Sequence, residues 1–104
     1  MTEINVMYDL RPGTDLQAYQ EWAKKVIAII LKAPGIIEFR ANRNVLGEPN
    51  IRTVTVWKSL SDWGNFAEST QWQEIVTELS TRFAQNIQVG IWGPSPVVPE
   101  PLRP

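Results

Sequence analysis

The stretch IIEFRANRNVLGEPNIRTVTVW, residues 36–57, decides the fold, because it places two strands in direct succession. Residues 36–42 alternate apolar and polar side chains, as a strand does when one of its faces is buried. Residues 44–50 supply the glycine and proline of a hairpin-like loop. The β-branched side chains of residues 51–57 then predict the second strand of this pair.

Upstream of this pair, the sequence predicts a strand followed by a helix. Residues 4–10 alternate apolar and polar side chains, which is a strand pattern. Thr14 and Gln17 have the spacing of a capping box at a helix start, and Pro34-Gly35 ends that helix. The apolar residues at helical spacing between these limits are Leu16, Tyr19, Ala23, Val26, Ile27 and Ile30.

Downstream of the pair, the sequence predicts two helical segments and a last strand. Ser59 or Ser61 can cap the first segment, which runs to a break near Ser69-Thr70. Residues 86–92 predict the fourth strand. The apolar face of the second helical segment consists of Trp72, Ile75, Val76, Leu79 and Phe83.

The order of these elements is β-α-β-β-α-β, which predicts an α+β fold, the ferredoxin-like sandwich. Its four strands form one antiparallel sheet with both helices on one face. We expect one domain over residues 1–92 and a separate tail over 93–104, which holds five of the eight prolines. The tail cannot join a sheet interior, and it is either solvated or packed as an arm on a partner subunit.

Strand alternation assigns residues to the two faces of this sheet. The face toward the helices is expected to carry Val6, Tyr8, Leu10, Ile37, Phe39, Val54 and Val56. The second face is expected to carry Asn5, Met7, Glu38, Arg40, Ile51, Thr53, Thr55 and Trp57. Ile51 and Trp57 are too apolar for free exposure, so we expect a homodimer paired through the second face.

Composition argues against several classes of protein. Ten basic and eleven acidic side chains give a net charge of −1 without a basic cluster, which argues against a nucleic-acid or anionic-membrane partner. The longest apolar run, residues 26–31, is far shorter than the ~20 residues of a membrane span, and no signal peptide is recognised, so we expect a cytoplasmic location. The chain has no cysteine and no histidine, which removes thiolate chemistry and the commonest metal ligand.

Four stretches in order resemble the antibiotic biosynthesis monooxygenase family, whose members form dimeric α/β barrels. They are RPGTDLQAYQEW (11–22), KAPGIIEFRANRN (32–44), TVTVWKSLSDWGNFAEST (53–70) and QWQEIVTEL (71–79). The resemblance implies a homodimer whose two sheets face each other. It also implies oxidation of phenolic or quinol-like substrates by molecular oxygen, in some members without metal or flavin.

The heme-degrading branch of this family uses asparagine, tryptophan and histidine, which by the resemblance fall on Val6 (or Asn5), Phe66 and Val76. No histidine is present to ligate heme iron, so heme degradation is not expected. The anthrone-oxidising branch places asparagine and tryptophan at Asp62 and Phe66, and both are replaced here as well. We therefore expect no metal and no cofactor.

Candidate site residues follow from the chemistry of a phenolic substrate. Tyr8 can hydrogen-bond a substrate hydroxyl, and Asp62 can accept a proton, although an aspartate there also suits the helix dipole. The expected substrate-binding residues are Trp63, Phe66, Trp72 and Trp92, which can pack on or line the pocket of a flat aromatic ligand.

Two functions remain open from the sequence. One is a cofactor-independent monooxygenase acting on a quinol or polycyclic phenol, and the other is a non-catalytic barrel that binds a small apolar ligand or serves as an accessory protein. An open cleft lined by Tyr8, Trp63, Phe66 and Trp72 would favour the enzyme. A cleft filled by Val6, Phe66 and Val76 would favour the non-catalytic barrel.

Overall fold

A computed structural model describes all residues, 1–104, and confirms the α+β, ferredoxin-like fold. The four strands form one antiparallel sheet in the order β2-β3-β1-β4. The predicted second helical region consists of two α-helices and a π-helical turn. The elements in chain order are β1 (Thr2–Leu10), α1 (Leu16–Ile30), β2 (Ile36–Arg43), β3 (Ile51–Trp57), α2 (Leu60–Ala67), α3 (Thr70–Glu78), the π-helical turn (Leu79–Phe83) and β4 (Ala84–Trp92).

Side-chain caps fix the helix starts. The carboxylate of Asp15, one residue after the predicted cap Thr14, accepts hydrogen bonds from the backbone N–H groups of Gln17 and Ala18, at 3.0 and 3.2 Å. Thr14 instead donates its hydroxyl to a backbone carbonyl of the preceding turn. Ser59 caps α2, as one of the two predicted alternatives. An ionised carboxylate accepts a stronger hydrogen bond than a hydroxyl, which explains the choice of Asp15.

The register of β3 against β1 corrects the predicted faces of the sheet. Tyr8 lies opposite Ile51 and Thr2 lies opposite Trp57, and residues directly opposite each other share a face. Ile51, Thr53, Thr55 and Trp57 therefore face the helices, and Val54 and Val56 lie on the outer face, which reverses the prediction. Threonine and valine alternate along β3 and have nearly the same shape, so the sequence pattern there does not choose a face.

The outer face of the sheet, opposite the helices, covers its own valines. Val54 and Val56 are 2% and 7% exposed although no helix packs on them. Arg40 forms ion pairs with Glu38 on its own strand β2 and with Glu3 on β1, across the intervening β3, and these long side chains lie over the valines. Half-exposed ion pairs of this kind contribute about 0–1 kcal/mol each, so their main contribution is this cover.

Two further predicted core residues are exposed. Ile37 falls at a register shift between Ile36 and Glu38, and it is 47% exposed while Ile36 packs on the core. Val76 is 40% exposed on α3, because Ile75 and Leu79 take the inward positions of that helical segment. Each prediction was wrong by one residue, which moves a side chain to the other face of the strand at Ile37 and by about 100° around the helix at Val76.

The π-helical turn joins α3 to β4 and buries its two end residues, Leu79 and Phe83. The Arg11 guanidinium donates to the carbonyl oxygens of Ser80 and Ala84, at 2.6 and 3.1 Å. These are carbonyl groups around the helix end, where the last ones have no partner within the helix. Arg11 therefore fastens the start of β4 to the end of β1.

A buried carboxylate joins two further segments at this same end of the sheet. Asp9 is 4% exposed, and its two oxygens accept from the Asn50 backbone N–H at 2.8 Å and from the Asn86 side-chain amide at 3.3 Å. Asp9 lies where the β1–β4 register shifts, and it links that shift to the loop before β3.

Two observations concern the ends of the chain and its helices. Residues 93–104 form no helix or strand and are exposed. None of the helices has the length and apolar character that crossing a membrane requires.

Replacing Trp57 by alanine tests the corrected face. Trp57 is fully buried beneath α2, so Trp57→Ala is expected to lower the free energy of unfolding by about 3–5 kcal/mol. The matched control is Leu46→Ala, in a loop residue that is 94% exposed. This substitution should change the free energy of unfolding by about 0.5 kcal/mol at most. Urea unfolding measures both. Equal effects would place Trp57 outside the core.

Candidate functional site

A cavity of about 260 Å³ lies between the sheet and the helices, and it opens to solvent. Its floor is formed by β1, β2 and β3, its roof by the inner side of α1, and its end by α2, α3 and the π-helical turn. Eighteen of its 20 lining residues are hydrophobic. No carboxylate, amine or guanidinium lines it, so the cavity carries no formal charge at neutral pH.

Helix α1 forms a loosely packed roof over this cavity. Ile30, its last residue, is its only buried residue. On the side away from the sheet, two open grooves of about 440 and 480 Å³ separate α1 from α3 and α2. Because α1 has space on both sides, few contacts oppose its displacement when a ligand enters.

One end of the cavity is walled by indole and phenyl rings, which we call the indole end. Trp57 packs on Trp63 and Phe66 with centroid distances of 5.6 and 5.4 Å. Trp72 packs on the same two rings at 5.1 and 5.6 Å. Edge-to-face and tilted contacts at these distances stabilise beyond area burial by about 0.5–1.5 kcal/mol per pair. These rings form one mutually packed aromatic wall.

The opposite end holds two phenols, which we call the hydroxyl end. The hydroxyls of Tyr8 on β1 and Tyr19 on α1 form a hydrogen bond with each other. Phe83 and Trp22 back this pair, with the Tyr19 ring 5.5 Å from Phe83 and 6.2 Å from Trp22. This hydrogen bond is a direct polar link between α1 and the sheet.

Burial controls the ionisation of both phenols. It raises the pKa of Tyr8 far above the ordinary tyrosine value, and the neighbouring Tyr19 hydroxyl raises it further. Burial also raises the pKa of Tyr19, while its hydrogen bond to Tyr8 lowers it. Both phenols are therefore neutral at physiological pH and present hydroxyl groups, with no phenolate, to a ligand.

The remaining polar groups on the floor are paired within the chain. The Trp57 indole N–H donates to the Thr55 hydroxyl oxygen at 2.8 Å. The Thr53 hydroxyl donates to the Val6 carbonyl at 3.5 Å. No three acidic side chains lie close enough together to hold a metal ion. What the cavity offers is aromatic surface and hydroxyl hydrogen bonds.

The structure brings together four of the six site residues named from the sequence. Tyr8, Trp63, Phe66 and Trp72 all line the cavity. Asp62, at the start of α2, does not line the cavity. Its carboxylate accepts a hydrogen bond from the Ser59 hydroxyl at 3.0 Å and lies against Gly35, the residue before β2. Trp92 does not line it either, since it is 59% exposed and folds over Gly90 on the outer face.

Two cavity residues were missed as site residues. Tyr19 was recognised only as part of the α1 apolar stripe, and Trp22 was not assigned to that stripe. The available signal for Tyr19 was a hydroxyl on an otherwise aliphatic stripe, because a buried hydroxyl needs a partner.

Tyrosine ionisation tests the burial of the hydroxyl end. We expect the folded protein to keep both phenolic protons at pH 10, the ordinary tyrosine pKa. The unfolded chain releases them there and so binds fewer protons than the folded chain. The free energy of unfolding therefore falls as pH rises above about 10. Tyrosinate absorbance and urea unfolding over a pH series measure the two effects.

The control is the double variant Tyr8→Phe/Tyr19→Phe, which has no tyrosine because the chain contains two. The free energy of unfolding of this variant should therefore lack the decrease above about pH 10 that tyrosine ionisation causes in the wild type. Tyrosinate appearing at the ordinary pH in the folded wild type would contradict the burial of the pair.

Several solved structures share this fold at low sequence identity. A variant of SnoaB, a cofactor-independent oxygenase from Streptomyces nogalater, has a TM-score of 0.74 and 14% identity, over 95% of this chain and 96% of that chain. The protein At3g17210 from Arabidopsis thaliana has a TM-score of 0.79 and 10% identity, over 91% and 96%. A conserved protein from Methanosarcina mazei Go1 has a TM-score of 0.72 and 18% identity, over 88% and 91%. These similarities show the fold alone.

The family is shown by the sequence itself. No curated protein matches the chain. The sequence profile of the antibiotic biosynthesis monooxygenase family matches residues 1–78, which is most of the folded part of the chain. The chain therefore belongs to the antibiotic biosynthesis monooxygenase family.

Proposed function

We propose that this chain is a monooxygenase that oxygenates a flat, neutral phenol or quinol with molecular oxygen in the cavity between the sheet and the helices. The observation that carries the proposal is an open, aromatic-walled cavity with hydroxyl groups inside it. Membership of the family supports monooxygenase chemistry. The fold is also similar to that of SnoaB, a cofactor-independent oxygenase.

The volume of the cavity sets the size of the substrate. An apolar cavity of about 150 Å³ in another protein holds one benzene molecule. A cavity of about 260 Å³ therefore suits a ligand of about two fused rings. A larger polycyclic phenol requires α1 to move away from the sheet, and the grooves beside α1 leave few contacts with α2 and α3 to oppose this movement.

The proposed reaction balances without a cofactor. One oxygen atom of O₂ enters a ring C–H bond of the quinol, and the other leaves as water. A quinol and O₂ then give a hydroxyquinone and one water, and the quinol supplies all four electrons and both hydrogens of the water. The protein contributes position and removal of the substrate from bulk water.

The hydroxyl end is the proposed polar part of the site. A hydroxyl of the Tyr8–Tyr19 pair donates a hydrogen bond to the substrate oxygen, where negative charge develops as the substrate O–H proton leaves for the water that forms. The rings of Trp63, Phe66 and Trp72 pack against the flat part of the substrate. Asp62 faces away from the cavity lining, which argues against the proton-accepting role suggested by the sequence.

A second function, ligand binding without catalysis, is favoured by one observation. No carboxylate or amine lines the cavity, and deprotonation of a phenol ordinarily uses a base. Against this function, the cavity is open and Val76 lies outside it, so it is not filled by Val6, Phe66 and Val76.

Oxygen uptake distinguishes the two functions. Chelator-treated protein is mixed with naphthoquinols and anthrones, and oxygen consumption is followed with an electrode. We expect uptake above autoxidation in the wild type, and a fall of about 100-fold in kcat/KM for the double variant Tyr8→Phe/Tyr19→Phe. Replacing both partners of a hydrogen bond by apolar groups of the same shape is nearly neutral for stability, so this variant should fold.

Other outcomes of the uptake experiment have distinct meanings. Uptake that is equal in wild type and double variant would keep the oxygenase and remove the tyrosines from its mechanism. A fall with Asp62→Asn alone would restore the role suggested for that residue. No protein-dependent uptake with any of these substrates, together with tight binding of them, would support the non-catalytic function.

We also propose that two copies of the chain pair through the outer face of the sheet. Members of the family are generally dimeric, and no helix of this chain covers that face. Ile51 and Trp57 do not contribute to this pairing, because both face the helices. The support that remains is this uncovered outer face, on which Asn5 lies opposite Val54 on one side and Gly90 on the other.

A charge at the centre of the outer face tests this pairing. Asn5→Lys places one ammonium group on each copy at the proposed contact, where burial of unpaired charge is costly. We expect light scattering to show the mass of two chains for the wild type and of one chain for this variant. The control Gln20→Lys adds the same charge on exposed α1 and should stay dimeric. A dimeric Asn5→Lys variant would place the contact elsewhere.

A further inference from the structure

The cavity and the groove between α1 and α3 have three lining residues in common. Trp22 and Val26 of α1 and Ile75 of α3 line both the cavity of about 260 Å³ and the open groove of about 440 Å³. A side chain that borders two spaces lies between them. We call these three side chains the partition.

The two spaces that the partition separates differ in polarity. Eighteen of the 20 residues that line the cavity are hydrophobic. Only five of the 11 residues that line the groove are hydrophobic, and three of those five belong to the partition. The other residues of the groove are charged, except for Gln71. The partition therefore keeps an apolar space apart from a polar one that is open to water.

Trp22 is the largest side chain of the partition, and other rings hold it in place. The centroid of its ring lies 5.1 Å from that of Phe83 and 6.2 Å from that of Tyr19. Aromatic pairs at these separations stabilise each other. Tyr19 is hydrogen-bonded to Tyr8 in turn, so this network connects the indole to the sheet. These contacts oppose displacement of the indole by a ligand.

The same contacts place Trp22 at the hydroxyl end of the cavity. Tyr19 and Trp22 are three residues apart on α1, which puts them on neighbouring positions of one helix face. A ligand that reaches from the indole end to the hydroxyl end therefore meets the Trp22 ring there. A further fused ring on such a ligand has no space at this point, because the indole occupies it.

We infer that Trp22 is a specificity-determining residue, which limits the ligands of the cavity to about two fused rings by closing it against the groove. The inference deepens the proposed function and, where it concerns the substrate, rests on it. Without the indole, the cavity and the groove are continuous. A third ring then takes the place of the indole, between Val26 and Ile75.

A pair of ligands that differ by one fused ring tests the inference by binding alone. 2-Naphthol and 2-anthrol are flat, neutral phenols of two and three rings with the same hydroxyl group. Anaerobic titration, followed by the fluorescence anisotropy of the ligand, gives both dissociation constants. We expect the wild type to gain no affinity from the third ring. Trp22→Ala should bind 2-anthrol about 3- to 10-fold more tightly than 2-naphthol, because it buries the apolar surface of that ring.

Two further variants make the test specific to the partition. Val26→Ala opens the same partition one helical turn away and should shift the preference in the same direction, by a smaller factor. The double variant Trp22→Ala/Val26→Trp returns an indole to the partition from a neighbouring position on the same face of α1. It should lose the preference for 2-anthrol again. 2-Naphthol should bind all four proteins alike, which controls for loss of the fold.

Two results would overturn the inference. One is a Trp22→Ala variant that binds 2-naphthol as the wild type does and gains nothing from the third ring. The other is a preference for 2-anthrol that persists undiminished in the double variant. The inference and the proposed function fail separately. A preference that shifts as expected, without oxygen uptake, would leave the size limit standing and refute the oxygenase. Oxygen uptake without the shift would do the reverse.

Discussion

The pairing register of β1 with β3 is the constraint on which the site depends. It sets Ile51 opposite Tyr8 and Trp57 opposite Thr2, and so gives the cavity its floor and its indole end. A slip by one residue would turn Val54 and Val56 inward and expose Trp57. The burial of Trp57 against Trp63 and Phe66 therefore opposes such a slip, and the geometry of the cavity follows from this one choice.

The sequence was sufficient for the order of the elements, because each strand and helix had its own period and its own terminating residues. Strand β3 was found at its observed limits, Ile51–Trp57, from β-branched residues alone. Its face was not found, since threonine and valine differ in polarity but hardly in shape. What decides the face is the partner strand, together with a tryptophan that only the helix side can bury.

The candidate site was predictable where a residue belonged to a strand or helix of known phase. Tyr8 and Trp72 were placed in this way, and both line the cavity. Asp62 was chosen as a proton acceptor at the start of α2, but its carboxylate accepts from Ser59, the residue that caps this helix, and does not line the cavity. The role of Tyr19 depends on a hydrogen bond between α1 and β1, a tertiary contact that no local pattern describes. That contact makes a tyrosine of the α1 stripe part of the site.

The π-helical turn at Leu79–Phe83 also constrains how the length of this chain can vary. It is a wider turn than an α-helical one, and it fixes the angle at which the backbone enters β4. Losing one residue there would close the turn and exchange the two faces of the last strand. Insertions and deletions should therefore be tolerated among residues 93–104, which lie outside the sheet, and rejected in the few residues before Ala84. The divergence of relatives in length is expected to follow that boundary.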